Sequence, residues 1–282
     1  MAGSTTTTLN DLLPSIVAEA MFVANERSIM RGLVRNFSIP AGNGKTITVP
    51  RYPTQTAAAV TEGDEVSNTA VSTDGVTLTV STAAIRTIVT DLARTSAASN
   101  VVADLGRLFG EAIAKKVDVD LLALFSGFTG LTVGGAATAL SPAIIAQAIA
   151  KLRANAVPAD ALYCVVHPYV AYDLKASLTN TFANPNAGVV QNEAMATGYV
   201  GTLFGVPVFE SANIADTGTA GDYVGAVFHR DALGLAMIGD INIETQRRAS
   251  YIGDDVVASM HYAVGELYDG YGCAITADSS LV

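Results

Sequence analysis

The sequence predicts an α+β fold, and three stretches predict it. Residues 38–92 are long, polar and rich in Thr and Val, with the alternation of extended chain and little apolar surface to bury. Residues 97–126 place apolar side chains at three- and four-residue steps, as one long amphipathic helix does. The last sixty or so residues show the cleanest period-two alternation in the chain.

Residues 1–8 are a small polar tail rich in Thr, ordered only where something such as a neighbouring subunit holds it. Residues 12–34 follow with Pro14 near a helix start and apolar Ile16, Val17, Ala20, Met21, Val23 and Ala24, which predicts one helix or two short ones up to Gly32. Residues 36–53 read as a strand, a Gly42-Asn43-Gly44 turn and a second strand, closed by Pro50 and Pro53. Glu62, Gly63, Asp64 and Glu65 form a charged tip, and alternation returns from Val71 to Asp91. The whole of 38–92 thus reads as a long two-stranded ribbon. Such a ribbon is marginal alone in water and needs a surface to lie on.

The helix of 97–126 carries Val101, Leu105, Phe109, Ile113, Val117 and Leu121 on one face, with Ser99 or Asn100 as its cap and Gly127 as its stop. At 1.5 Å per residue it is a rod of roughly 40 Å. Residues 127–140 read as a Gly/Thr loop. Ser141-Pro142 starts the next helix, with Ser141 as its cap and Pro at the first position, and Val157-Pro158 ends it. A short buried strand at Ala161–Val166 precedes His167-Pro168 and a helix through Leu178. Residues 179–200 are polar and loop-like around Asn184-Pro185-Asn186. Gly205-Val206-Pro207-Val208 turns into a strand, Asp216–Asp222 is a Gly-rich loop, and Val224–Phe228 is another strand. Near the end, Val256, Ala258, Met260 and Tyr262 share one face of a long strand, while Val257, Ser259, His261 and Ala263 share the other.

Composition narrows the function classes. The chain has 282 residues, 50% of them hydrophobic, with no Trp, which suffices for one core or two connected ones. Only 15% are charged, against about 25% in an ordinary soluble domain. A surface so poor in charge points to copies of the chain covering one another, the alternative being a sticky monomer. The net charge of −10 opposes tight coating of nucleic acid, and the basic pairs Lys115-Lys116 and Arg247-Arg248 fit salt bridges or interface contacts better than phosphate. Cys164 and Cys273 make no disulfide framework and read as buried thiols, in keeping with a reducing compartment. The first residues lack the basic and apolar regions of a signal peptide, and no apolar run is long enough to span a membrane.

The inventory of chemistry is short. Gly42-Asn43-Gly44-Lys45-Thr46 fails as a phosphate loop, since Ile39 stands where its first glycine belongs and a strand follows it. His167, His229 and His261 form no metal-spaced cluster with the cysteines. Glu62, Asp64 and Glu65 lack the ligand period of a calcium loop, and Asp118, Asp120, Asp254 and Asp255 lack companions of known spacing. A nucleophile built on Cys164 with His167, or on a serine, is the enzyme alternative. Local packing or capping by His167 is the simpler reading. No catalytic residue, cofactor or metal site is assigned.

Four runs in this order resemble the major capsid protein of tailed bacteriophages, whose shell fold is shared with herpesvirus floor domains and encapsulins. They are NVVADLGRLFGEAIAKKVDVDLLALFSG, SPAIIAQAIAKLRANAVPADALYCVVHPYVAYDLK, GYVGTLFGVPVFESANI and INIETQRRASYIGDDVVASMHYAVGELYDGYGCAIT. The first is similar to the family's spine helix, the second to its helix, strand and V-V-x-P helix. The third is similar to its G-x-P-V strand and the fourth to its closing strands.

The resemblance implies an N-terminal arm at 1–37 and an extended β-hairpin loop at 38–90. It implies a peripheral domain with the spine helix at 91–156 and 236–270, and an axial domain at 157–235 and 271–282. It further implies a structural role and not an enzymatic one: copies associate as pentamers and hexamers into an icosahedral virion shell, assembled in the host bacterial cytoplasm, around packaged DNA that is bound without sequence specificity. A separate scaffolding protein, a portal and decoration proteins are the implied partners, and no membrane is. Lys45, Glu62, Asp64 and Glu65, on the extended loop, are the expected inter-subunit contacts, with no crosslink carried over to Lys45. Gly-rich joints at 127–135 and 216–221 are expected to let one sequence take several shell positions. An encapsulin-like shell holding protein cargo is the alternative; a surface-layer or tail protein lacks its signals here.

Overall fold

The computed structural model describes residues 28–282, except 41, 43, 53, 54, 58, 64, 67, 69, 97–100, 181–200, 219, 220 and 282. The Thr-rich tail, most of the helix expected at 12–34, the cap at Ser99 or Asn100, Asp64 and the turn at Asn184-Pro185-Asn186 lie outside the described residues.

Short helix α1 (Met30–Leu33) leads into strand β1 (Arg35–Ser38). Strands β2 (Thr46–Arg51) and β3 (Asp74–Thr79) pair antiparallel and are followed by β4 (Ser81–Thr90) and helix α2 (Asp91–Ser96). The long helix α3 (Val101–Ala123) comes next and ends in a 3-10 turn at Leu124–Gly127, at the predicted glycine stop. Then come β5 (Thr132–Ala139), α4 (Pro142–Ala154), β6 (Leu162–Val166), α5 (Pro168–Asn180), β7 (Thr202–Leu203), β8 (Val206–Glu210) and β9 (Asp222–His229). Three more strands close the chain: β10 (Leu233–Arg248), β11 (Gly253–Glu266) and β12 (Gly272–Asp278).

Among the described residues the strands form a four-stranded sheet in the order β1-β10-β11-β4, a six-stranded sheet in the order β5-β12-β9-β6-β8-β7, and the two-stranded β2-β3 ribbon. The closing strands behave as their alternation predicts. Val256, Ala258, Met260 and Tyr262 of β11 are buried, whereas His261 between them is exposed. Their buried face joins one core with Phe109, Ile113, Val117 and Leu121 of α3. That core runs on into the six-stranded sheet, where Phe125 at the end of the spine helix lies 5.4 Å from the Phe228 ring of β9.

Four expectations are corrected. The Gly42-Asn43-Gly44 segment does not join a hairpin: β1 pairs in parallel with β10, from Arg35 opposite Gly234 to Ser38 opposite Met237, while β2 pairs with β3. Parallel pairing takes β1 into a different sheet, which local turn chemistry cannot signal. Next, the ribbon is shorter than 38–92, because the chain leaves it at Val80 and β4 joins the four-stranded sheet as the antiparallel neighbour of β11. Third, the Gly/Thr loop contains β5, an edge strand parallel to β12. Gly134 holds φ +78°, and a Cβ there would fall 2.1 Å from the Thr276 carbonyl oxygen, so its glycines are the condition for close pairing and not a sign of irregular chain. Last, Ser141 makes no side-chain cap hydrogen bond, although Pro142 does occupy the first turn of α4 as predicted. The helix α4 packs on β5, β9 and β12 of the six-stranded sheet.

Candidate inter-subunit surfaces

The ribbon divides into a root and a tip. At the root, Val49 and Leu78 share a small core with Ile39, Ala236, Ala263 and Leu267. Thus the ribbon docks on the face of the four-stranded sheet opposite α3. Gly265 makes room for it, since a Cβ there would lie 2.4 Å from Leu78 Cδ2. The outer end of the root is tied by Arg51 Nη2 to Asp74 Oδ2 at 2.5 Å, with the Arg51 guanidinium 5.9 Å from the Tyr268 ring centroid. Beyond that pair every described residue of the ribbon is exposed. Tyr52 is 65% exposed and Val66 72%, and Val60 and Val71 are also exposed. Four large apolar side chains on one short excursion exceed the scattered exposure that a free surface shows.

The candidate contacts named from sequence do not form one cluster. Lys45 is exposed at the body end of β2, where its carbonyl accepts the Val80 N–H at 2.8 Å. Glu62 and Glu65 are exposed beyond the Arg51–Asp74 pair, near the ribbon's far end. About six residues of strand, on the order of 20 Å, separate the two places.

A second surface lies at the turn between β10 and β11. Ile252 is 67% exposed and Leu92 of α2 is 77% exposed, with exposed Tyr251 beside them. Ile252 holds φ +46°, a left-handed conformation that is strained for a β-branched residue. Its carbonyl accepts the Asp91 N–H at 2.9 Å, which links turn and helix. A charge network holds the same corner. Arg247 donates to both carboxylate oxygens of Asp91 at 2.6 and 2.7 Å and to Asp254 at 3.5 Å. Arg86 meets Asp255 at 2.7 Å, and Arg248 meets it at 3.4 Å. Hydrogen bonding to Asp91 raises the Arg247 pKa, and hydrogen bonding to Asp255 raises that of Arg86. Asp254 and Asp255, without companions in the sequence, are thus buried partners of arginines. Arg247-Arg248 forms salt bridges, as expected.

At the opposite end, Tyr169 and Tyr172 of α5 and Phe204 in the β7–β8 turn are exposed. Phe204 and Gly205 hold φ +53° and +81°, a tight hairpin turn that pushes the Phe204 ring outward.

A nucleophile built on Cys164 with His167 finds no support in the geometry. Cys164 is fully buried in β6, and burial pushes its thiol up to about 12; Cys273 is pushed up to about 11 by the same cause. His167 Nδ1 accepts the Tyr169 N–H at 3.3 Å, and its ring stacks on Tyr223 at 3.8 Å, so it packs and caps locally. Burial lowers its pKa. Among the described residues no group of three or more His, Cys, Asp and Glu is placed to hold a metal ion, and no helix is long and apolar enough to cross a membrane. With thiolates this scarce, neither cysteine should react with a thiol reagent at neutral pH on the timescale of minutes. Labelling should appear only on unfolding, and rapid labelling of native protein would contradict the burial.

This arrangement of a spine helix on one sheet, a docked ribbon and a second sheet matches known proteins. The model of the family described as phage capsid protein matches residues 73–275. The chain belongs to the phage capsid protein family. A solved structure titled Mycobacterium phage Che8 superposes with a TM-score of 0.68 at 22% identity, covering 83% of this chain and 85% of that one. The capsid of cyanophage P-SCSP1u gives 0.67 at 19% identity, covering 90% and 89%. The capsid of a native GTA particle gives 0.67 at 12% identity, covering 93% and 91%. No curated protein sequence matches this capsid chain at a significant level. At these identities the superpositions establish the shared fold, and the family match establishes what kind of protein the chain is.

Proposed function

We propose that the chain is the major capsid subunit of a tailed phage, and that its pentamers and hexamers close an icosahedral shell around double-stranded DNA. The observation that carries this reading is the ribbon, anchored by its own core at the root and exposed at every described residue beyond it, Val60 and Val66 included. A tip of this kind is stable when it lies on a neighbouring copy. Head-to-tail association of that sort closes rings. Obligate interfaces bury roughly 2,000–5,000 Å² in total, and at about 25 cal/mol per Å² of apolar area a part of that offsets the ordering of the loop.

In this reading residues 1–37 are the arm and 38–90 the extended loop. The peripheral domain takes α2, α3, β4, β10 and β11. The axial domain takes the six-stranded sheet with α5 and, by their packing, β5 and α4. Lys45, Glu62, Asp64 and Glu65 meet neighbours at two separate places, the loop's base and its tip. Tyr251, Ile252 and Leu92 supply a further contact at the peripheral end, and Tyr169, Tyr172 and Phe204 one at the axial end. The net charge of −10 suits an inner face that encloses DNA without gripping it. Assembly in the host cytoplasm with a scaffolding protein, a portal and decoration proteins completes the proposal.

The family match favours this shell over an encapsulin-like compartment. Particles containing this chain, purified from a lysate and treated with nuclease, should hold protected DNA. Particles filled with a protein cargo and free of DNA would contradict the proposal.

A further inference from the structure

The four-stranded sheet ends at β4, and β4 differs from the other sheet edges. It runs for 10 residues and pairs with β11 from Ser81 opposite Tyr262 to Thr90 opposite Gly253, without a register shift. Among the described residues no strand lies on its other side. Natural sheets blunt such an edge with short strands, charges, prolines or bulges. The remaining edges of the two larger sheets follow that rule. Strand β1 has 4 residues and β7 has 2, and β5 carries a register shift. The stretch of β10 beyond β1 holds Asp240, Glu244, Arg247 and Arg248. By contrast, β4 has no proline, no glycine and no acidic residue. Its one charge, Arg86, is bonded to Asp255 of β11.

The backbone of this edge is open. The Asp91 N–H donates to the Ile252 carbonyl in the register that pairs β4 with β11. Period two then turns the hydrogen-bonding groups of Ser81, Ala83, Ile85, Thr87 and Val89 toward β11, and those of Thr82, Ala84, Arg86 and Ile88 outward. Just before β4 the outward side is filled, because the Val80 N–H donates to the Lys45 carbonyl at 2.8 Å. The open edge begins where pairing with the chain's own β2 stops.

The ribbon has the opposite deficit. Residues 55–57 and 59–62 lie in no strand or helix, are exposed, and make no hydrogen bond to another described residue. None is a proline, so each has an N–H to donate. They lead away from β4 of their own subunit. Arg51, where the root ends, lies over Tyr268, whereas β4 runs from Tyr262 toward Gly253, the other way along β11. Glu62 and Glu65 at the far end suit an edge without acids, while Asp240 and Glu244 on β10 would repel them.

We propose that β4 is a strand-addition site: residues 55–62 of a second copy, all but 58 described, pair with its outward edge at Thr82, Ala84, Arg86 and Ile88. This rests on the shell reading given above and names the surface on which the ribbon lies. Main-chain bonds supply the attraction in such pairing, so small residues such as Ala57 and Ala59 need fill no pocket.

Three measurements test it. Amide hydrogen exchange at Thr82, Ala84, Arg86 and Ile88 should be fast in the isolated subunit and slow at least tenfold on assembly, while Ala83 and Ile85 are protected in both states. Ala84→Cys combined with Ala57→Cys or with Val60→Cys should give covalent multimers when assembled particles are oxidised, in at least one of the two combinations. Each single variant, and the dilute subunit, should stay monomeric on a non-reducing gel. Ala84→Pro removes one outward donor at an edge that tolerates proline. Its melting temperature should stay within a few degrees of the parent's, and its shells should fall below half the parent yield; should it fail to fold, the first two measurements stand without it. The inference is overturned if the outward amides exchange alike in subunit and particle, if neither combination crosslinks, or if a folded Ala84→Pro assembles at parental yield. Those outcomes leave the shell reading intact. A parent that stays monomeric with and without the proposed scaffolding protein overturns the shell reading, and the strand addition with it.

Discussion

A chain lacking residues 54–70 should fold as a subunit and form no shells. The ribbon's anatomy sets both halves of this result. Its root lies outside the deletion: Val49 and Leu78 keep their core with Ala236, Ala263 and Leu267, and Arg51 keeps Asp74. Residues 52, 53 and 71–73 then join β2 to β3, and a five-residue loop closes a hairpin without strain. The deleted part contributes no buried side chain to either core among the described residues. Subunit stability should therefore change by no more than about 0.5 kcal/mol, the usual range for surface changes. Assembly loses Val60 and Val66 together with Glu62, Asp64 and Glu65. Circular dichroism and thermal melting report the first half, and sedimentation under assembly conditions the second. A subunit that collapses on deletion would show that the tip supports its own fold. Shells of normal yield would show that the loop does not hold the neighbour.

Phe125→Ala should do the reverse and destabilise the subunit itself. Phe125 is fully buried at the end of the spine helix, 5.4 Å from the Phe228 ring and 6.3 Å from that of Phe128. This cluster is where α3 meets the six-stranded sheet. Truncating a buried Phe to Ala costs about 3–5 kcal/mol, from lost transfer energy plus the cavity that remains. That is a large share of the stability of an ordinary domain. Denaturant unfolding should record a loss in that range, and assembly should fall with the population of folded subunit. A loss below about 1 kcal/mol would mean that the end of the helix is not the joint between the two sheets. Together the two variants separate folding from assembly: the first should keep its stability and not join, and the second should lose stability itself.

Much of the fold is legible where a local pattern and the final burial agree. The alternation of Val256, Ala258, Met260 and Tyr262 fixes which face of β11 meets the spine helix, since a slip of one residue would expose all four. Pro142 marks the first turn of α4 without help from the rest of the chain. The parallel pairs are less legible. Strand β1 pairs with β10 about two hundred residues later, and β5 pairs with β12, so no turn announces either. Gly134 points toward a loop when read alone, yet it is the contact that lets β5 approach Thr276.

The surfaces follow the same division. Exposure of Val60 and Val66 accords with a ribbon that has little to bury. The root's core was hidden, because Leu78 meets Ala263 and Leu267 only after β11 is in place. Asp118 and Asp120 look unaccompanied along the chain. Their partners, Ser28 and Tyr262, lie about ninety residues before the one and over a hundred after the other. Buried charge makes sense only with its donors in view, and spacing along the sequence does not supply them.

Electron microscopy of the purified chain, alone and with the proposed scaffolding protein, tests the central claim most directly. The expected result is closed particles of uniform diameter, built from rings of five and six subunits. A compact monomer under every condition of salt, concentration and scaffold would contradict it.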